Sequence, residues 1–326
     1  MLDVHAHVVL EATFGSLGDL GPTLTVDPGG AQCFRVGGYE LVGVRYAGSV
    51  FMDAGLRLEA MAAAGITHQV LSPNPLTYAH HVEAALADRL CRVGNDAMAE
   101  VVRAHPRELS GFVALPAQDP ERAAAELRRG VRDLGLLGGY IGTDPGGCTL
   151  DDPALDVLWA TAVELDVPMF VHPAPSGIDG PLVDPRTRRF DLDLLLWFAY
   201  EESLAVAALV FGGVLHRHPR LDVCVSHGGG TIGFLAGRWR LAARNRPWSP
   251  AWLKDDPAMF DTLLRRLWFD VHVHDTGSLR LLADAVGDDH LVYGTNFGGW
   301  DAAGHVDVSV LGTDVDANAR RLLRMR

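Results

Sequence analysis

Two histidines two residues apart, His5 and His7, close a short apolar run at the start of the chain, Met-Leu-Asp-Val-His-Ala-His. On a β-strand alternate side chains share a face, so both imidazoles point at one site. Imidazole is the commonest protein ligand for divalent transition metals, and a pair on one strand makes half of a typical site. Alone, the pair is equally an accident of a chain terminus, so the remaining histidines must decide. His172 ends Phe-Val-His-Pro, His227 stands in Val-Ser-His-Gly-Gly-Gly, His272 and His274 follow Phe-Asp-Val, and Asn296 ends Tyr-Gly-Thr-Asn. One buried histidine is ordinarily a satisfied core residue. A ring of six is not, because burying that many polar rings without ligands or partners is costly.

The elements that must position them alternate along the chain. After the opening strand, residues 8–52 are Gly-rich and lack sustained periodicity, and read as a long excursion with a small hairpin around Gln32 to Tyr46; such excursions usually cover a site. A helix starts at Asp53 and stops at Gly65, and residues 66–71 read as a strand. The pattern then repeats: helix 81–104 and strand 109–115, helix 119–134 and strand 137–142, helix 152–165 and strand 168–173. It continues with a helical region 191–218, strand 221–226, helix 230–245, strand 267–271, helix 278–286 and strand 290–295. Eight strands in eight βα units predict a (β/α)₈ barrel in which all the polar residues named above sit at the carboxyl ends, where barrels place their chemistry. An open doubly wound sheet is the alternative, but no G-x-G-x-x-G follows a strand. Residues 246–266 read as a second insertion, before the seventh strand, and the whole of 1–326 as a single domain.

Composition narrows the ligand. With 41 acidic against 28 basic side chains the formal charge is -13, which disfavours nucleic acid and anionic membrane and favours a small molecule. Lys254 is the single lysine, in a polar connecting stretch, so a metal pair bridged by a modified lysine is not expected. Cys33, Cys91, Cys148 and Cys224 form no C-x-x-C pair, which fits a reducing cytoplasm rather than a disulfide framework or thiolate zinc site. No apolar run of membrane-spanning length and no leader pattern are read, so a cytoplasmic protein is expected.

The motifs carry a resemblance from end to end: Asp3-Val-His-Ala-His7, Leu56 to Met61, Phe170-Val-His-Pro173, Gly212-Gly-Val214, Val225 to Gly230, Gly237-Arg238, Val273-His-Asp275 and Tyr293-Gly-Thr295. The chain resembles the amidohydrolase superfamily, and within it the group of the aminocarboxymuconate semialdehyde and γ-resorcylate decarboxylases. The resemblance implies one divalent metal, zinc first and manganese second, on His5, His7 and His172, with His227 handling protons beside it. It also implies a homodimer. At the eighth strand the family's metal-binding Asp is replaced by Asn296, in Gly-Thr-Asn-Phe-Gly-Gly-Trp-Asp. An amide offers an oxygen lone pair but neither a negative charge nor a place for a proton. Asn296 is therefore a weak ligand, or Asp301 or His272 replaces it, or the site has lost affinity. Arg45 and Arg238 match positions that hold substrate carboxylates, the second reaching into a neighbouring subunit's site. Tyr78, His80, Trp197, Phe297 and Trp300 are further candidates for the pocket wall. His216 and His218 repeat the H-x-H spacing but close a helix, where it does not aim both rings one way.

Three functions compete. In the first, a metal-held aromatic or dienoic carboxylate loses carbon dioxide while His227 protonates the carbon left behind. In the second, water is activated for hydrolysis of an amide or lactone or for hydration of an unsaturated acid. That chemistry needs a strong base, and Asn296 removes the obvious one, so decarboxylation is preferred. The third is a non-catalytic relative with a weakened metal site.

Overall fold

The protein is described by a computed structural model over residues 1–178, 184–299, 302 and 307–325. Its strands are β1 (Leu2–Val8), β2 (Thr23–Val26), β3 (Gln32–Val36), β4 (Tyr39–Val44), β5 (His68–Pro73), β6 (Leu109–Gly111), β7 (Val113–Ala114), β8 (Gly139–Gly142), β9 (Met169–His172), β10 (Val223–Val225), β11 (Trp268–Asp270) and β12 (Leu291–Val292). The helices are α1 (Ala54–Ala63), α2 (Ala84–Ala104), α3 (Pro120–Arg132), α4 (Asp156–Leu165), α5 (Leu192–Leu195), α6 (Trp197–Phe211), α7 (Val214–Arg217), α8 (Ile232–Asn245), α9 (Ala251–Lys254), α10 (Met259–Leu264), α11 (Thr276–Val286) and α12 (Val315–Leu322). Asp53, Asp119 and Asp275 cap α1, α3 and α11 by accepting a backbone N–H two residues into each helix.

The parallel order β1-β5-β6 continues through β7-β8-β9-β10-β11-β12. β6 and β7 are one expected strand, 109–115, interrupted at Phe112: Phe112 N–H still reaches Leu71 O while Val113 N–H turns to Gly138 O. The ring closes between its ends, since Val4 N–H bonds Tyr293 O at 2.9 Å and Phe297 N–H bonds His5 O at 3.1 Å. The predicted (β/α)₈ barrel is therefore the fold. Phe112, Tyr140 and Phe170 stack across its interior, with centroids 5.5 Å and 6.1 Å apart, and fill the space below the carboxyl rim.

Both insertions are present. The first is larger than a hairpin: β2, β3 and β4 form an antiparallel sheet, because Thr23–Val26 adds to the β3–β4 hairpin. The second folds as α9 and α10, pinned to the core by Leu253, Phe260, Leu263 and Leu264. One expectation needs correction. Residues Trp197–Arg217 are long and apolar enough to cross a membrane by composition. Here they form α6 and α7, broken at Gly213, whose φ of +80° suits glycine, and 61% of the apolar window is buried in the protein, as a core helix requires.

Candidate metal centre

The site grows from an irregularity in β1. Its register against β5 slips by one residue between Asp3 and Ala6. A slip of this kind re-aims side chains: Val4 packs with the interior aromatics, and His5, next in sequence, also faces inward, its ring 5.4 Å from that of Phe170. His7 follows on the same side. His5 Nε2 and His7 Nε2 lie 3.2 Å apart. Two imidazoles sharing one ion at ~2.0–2.1 Å with a roughly tetrahedral angle would be separated by ~3.3 Å. His172, at the end of β9, brings its ring to 4.9 Å from His5 and 4.7 Å from His7. His227, just past β10, lies 4.9 Å from His5 and 5.1 Å from His172.

The far nitrogens of these rings are tied down. His5 Nδ1 pairs with Asp270 Oδ2 at 2.7 Å, His172 Nδ1 with Pro173 O at 2.6 Å, and His227 Nδ1 with Glu202 Oε1 at 2.6 Å. A carbonyl or carboxylate can only accept, so each Nδ1 carries the hydrogen, which leaves Nε2 of His5 and His172 with a lone pair turned inward and Nε2 of His227 able to take up and give a proton. This is how metal-binding histidines are held in their tautomer. His7 Nδ1 meets Ser72 Oγ at 3.2 Å, a partner of either sense. Burial first, then the nearby His7, His5 and His227, hold His172 well below the ordinary histidine range, so it is neutral and competent as a ligand. Its buried Nε2 has no hydrogen-bond partner among the described residues, an arrangement that costs about 1–3 kcal/mol unless something takes the lone pair. A divalent ion fits this donor set. By distance the group that qualifies among the described residues is His5, His172 and His227, whose ring nitrogens lie within 4.8 Å of one another, while His7 Nε2 stands 3.2 Å from His5 Nε2.

Three acidic residues escaped the sequence reading of the site. Asp270 orients His5 and also accepts from the backbone N–H groups of His272 and Gly228. Glu202 accepts from both His227 and Ser226, and burial pushes its carboxyl up. Asp3 takes four donors: His5 N–H and Thr295 N–H on Oδ1, Thr295 Oγ1 and Gln69 Nε2 on Oδ2. Asp3 and Asp270 stand beside the histidine motifs and could have been found there; Glu202, within α6, had no such signal. The eighth strand must pass close by, since a Cβ on Gly294 would fall 2.8 Å from Asp270 Cβ and 2.9 Å from His5 Cβ.

Burial raises the Asp3 carboxyl to about 6 despite those donors. A folded-state pKa above the unfolded value of about 3.9 means that the folded protein binds the extra proton between the two, so stability falls as pH rises through this window. From about pH 5 to about pH 7 the metal-free protein should lose about 1 kcal/mol through this residue. Urea midpoints of the wild type and Asp3→Asn at both pH values check this: parallel pH trends would refute it.

Two cavities flank the cluster and share Leu194, Leu195 and Phe198 as a common wall. One, about 690 Å³, is lined by His7, His172, Asn296, Arg45, Tyr46 and Asn74 among others. The other, about 530 Å³, is lined by His227, His272, His274 and Glu202 with apolar neighbours. Asn296 is buried beside His7 and His172 with φ of +50°. His272 is buried on the His227 side, ring centroids 5.5 Å apart, and 6.1 Å from His5. Asp301 and Trp300 lie outside the described residues. Arg45 is exposed on the rim of the larger cavity, and Arg238 is exposed on α8, away from both cavities.

Four pocket expectations are corrected. Tyr78 lies beneath the site, where its hydroxyl donates to His172 O at 2.8 Å and its ring stacks on Tyr140. His80 stacks on the far face of that arrangement, over Gly142. Trp197 packs on Tyr200, and the wall residue is the next one, Phe198, because consecutive helical side chains diverge by about 100°. The Phe297 ring sits against the Arg57 guanidinium at 5.1 Å, outside the cavities, while its backbone closes the barrel. His216 and His218 are helix-end residues as expected, on Trp252 and Asp156.

The sequence profile of the amidohydrolase family matches residues 2–324. A 2-amino-3-carboxymuconate-6-semialdehyde decarboxylase of Dictyostelium discoideum is 32% identical over 75% of this chain and 66% of its own. The crystal structure of a 2,6-dihydroxybenzoate decarboxylase with 2,6-dihydroxybenzoate superposes with a TM-score of 0.67 at 27% identity, over 84% of this chain and 89% of that one. A dihydroxybenzoic acid decarboxylase of Polaromonas sp. JS666, solved with manganese and the inhibitor 2-nitroresorcinol, shares the fold at 22% identity, with a TM-score of 0.73 over 99% of this chain and 96% of its own.

Proposed function

The chain belongs to the amidohydrolase family, and from that premise we propose that it is a metal-dependent decarboxylase of a small aromatic or dienoic carboxylic acid, its barrel and both insertions forming one catalytic domain. The observation that supports this reading is the clustering of the His5, His7 and His172 rings, with centroids 4.7 to 5.0 Å apart, and of Asn296, not a carboxylate, on the cavity that His7 and His172 line. Those three histidines are assigned to the ion, zinc or manganese, and Asn296 to a weak oxygen contact or a hydrogen bond at its edge. When bound, a divalent ion would supply positive charge that holds and orients the substrate carboxylate. Arg45, at the rim, pairs with an anionic group of the incoming acid. His227, carrying on Nε2 a proton taken from solvent, gives it to the carbon that bears the carboxylate; the C–C bond breaks, its electron pair stays with the ring or diene, and carbon dioxide leaves. Glu202 holds the His227 ring and stabilises the imidazolium before it gives up that proton. The wall formed by Leu194, Leu195 and Phe198 keeps water from competing for it. Hydrolysis needs a base next to an activated water, and an amide at position 296 cannot take a proton.

A homodimer is part of the proposal. Leu196, just before α6, Tyr200 and Leu204 of α6, and Phe234 and Leu241 of α8 are exposed on adjoining elements, with Phe234 82% exposed. Arg238 lies on the same stretch of α8, and in this reading it serves a second copy. Four unpaired cysteines suit a reducing cytoplasm.

The test is made on protein stripped by chelator and reloaded with one equivalent of zinc or manganese. 2,6-Dihydroxybenzoate and aminocarboxymuconate semialdehyde should release carbon dioxide only after reloading, and the protein should sediment at twice its 35.1 kDa mass. Hydrolysis of amides or lactones without carbon dioxide would replace the decarboxylase with the hydrolase, and failure to take up either metal would leave a non-catalytic relative.

A further inference from the structure

The larger cavity holds a polar pair that the chemistry above leaves unused. Tyr46 and Asn74 both line it, alongside His7, His172 and Asn296. Both are buried. Asn74 Oδ1 accepts the Leu76 N–H at 3.0 Å, which fixes the direction of the amide, and Nδ2 then donates to the Tyr46 hydroxyl oxygen at 3.1 Å. A phenol that accepts from an amide N–H keeps its own O–H to give, and that amide nitrogen cannot receive it. The phenol remains protonated, because burial pushes it up to about 12.

The hydroxyl is also held in place. Phe34 and Phe51 grip the Tyr46 ring edge-on at centroid distances of 5.3 Å and 4.9 Å. Gln32 Oε1 accepts from both Tyr46 N–H and Ala47 N–H at 2.9 Å, so the sheet of the first insertion clamps the backbone. A donor fixed in this way loses little freedom on meeting an acceptor. It discriminates by the penalty paid when no acceptor arrives.

Resting on the decarboxylase reading, we propose that Tyr46, oriented by Asn74, donates a hydrogen bond to a second oxygen of the substrate, a ring hydroxyl or second carboxylate beyond the group held at the histidines, and so selects acids that carry one. Arg45, its neighbour at the rim, contributes charge; Tyr46 reads the position of an oxygen. Tyr46 is thus a specificity residue and Asn74 a positioning residue.

The experiment compares the wild type, Tyr46→Phe and Asn74→Leu, each loaded with manganese, in calorimetric binding of 2-hydroxybenzoate and of its 2,3-, 2,4- and 2,6-dihydroxy relatives. Tyr46→Phe should weaken at least one dihydroxy acid by about tenfold while leaving 2-hydroxybenzoate within about twofold. Asn74→Leu, which keeps the hydroxyl but releases it, should weaken the same acid by less. Equal losses for all four acids, no loss for any of them, or no binding of any acid by the wild type would each overturn the proposal. Carbon dioxide release is measured separately from binding, so acids that bind selectively but release no carbon dioxide would sink the decarboxylase reading alone.

Discussion

Replacing His227 with Ala should lower the rate of carbon dioxide release by roughly 10²- to 10⁴-fold, the usual contribution of a positioned proton donor, and leave metal content unchanged. The expectation comes from the way this ring is held. Its Nδ1–H is spent on Glu202, which is fully buried and also accepts from Ser226, so Nε2 is the nitrogen left for the proposed proton transfer. A protonated imidazole there is stabilised by the Glu202 carboxylate, and proton loss to carbon returns a neutral imidazole beside that carboxylate. Glu202→Gln should then cut the rate while sparing the metal, because an amide can still hold the ring but cannot balance its charge. Metal analysis of the two purified variants, read beside their rates, decides the matter. If His227→Ala loses its ion, the ring is a ligand, as the 4.8 Å grouping with His5 and His172 allows, and the proton must come from elsewhere.

How far the sequence could be read depended on whether a signal was local. The H-x-H at the end of a strand, and the other histidines after apolar runs, placed a ring of imidazoles because strand alternation and the barrel's directionality are rules about neighbours in sequence. Glu202 was invisible for the opposite reason. An acidic residue inside a mixed helix reads as a solvated face, and only the packing of α6 against the end of β10 puts it under His227. The mistaken wall residues share one cause. Tyr78, Trp197 and Phe297 each lie near the site in sequence, but side-chain direction depends on helical phase and on turns with φ above zero, such as Asn296 at +50°, which turns Asn296 into the cavity and Phe297 out of it. The slip in β1 was equally hidden: simple alternation predicts a shared face for His5 and His7, which holds, but not that Val4 joins them inside.

Replacing Asn296 with Asp should tighten metal binding by at least about tenfold and weaken binding of anionic acids by a similar factor. Three neutral imidazoles leave a divalent site at a net charge of about +2, and a carboxylate in place of the amide lowers it to about +1. The neutral state of His172 follows from its burial among other histidines, so the charge of the ion is not masked in the natural protein. An anionic substrate then meets more attraction than it would beside a carboxylate. The variant should fold, since Asn and Asp both tolerate the left-handed backbone found here at φ of +50°. It should also acquire slow hydrolysis of simple esters, because a carboxylate can take a proton from water where the amide cannot. Chelator competition gives the metal term and KM for the carboxylate gives the substrate term, and the two must move in opposite directions. Asp301→Asn is the necessary control, with Gly298 and Gly299 lying between it and Asn296 in sequence. If that change alone strips the metal, Asp301 completes the site, the net charge is already about +1, and the preference for anionic acids needs another cause.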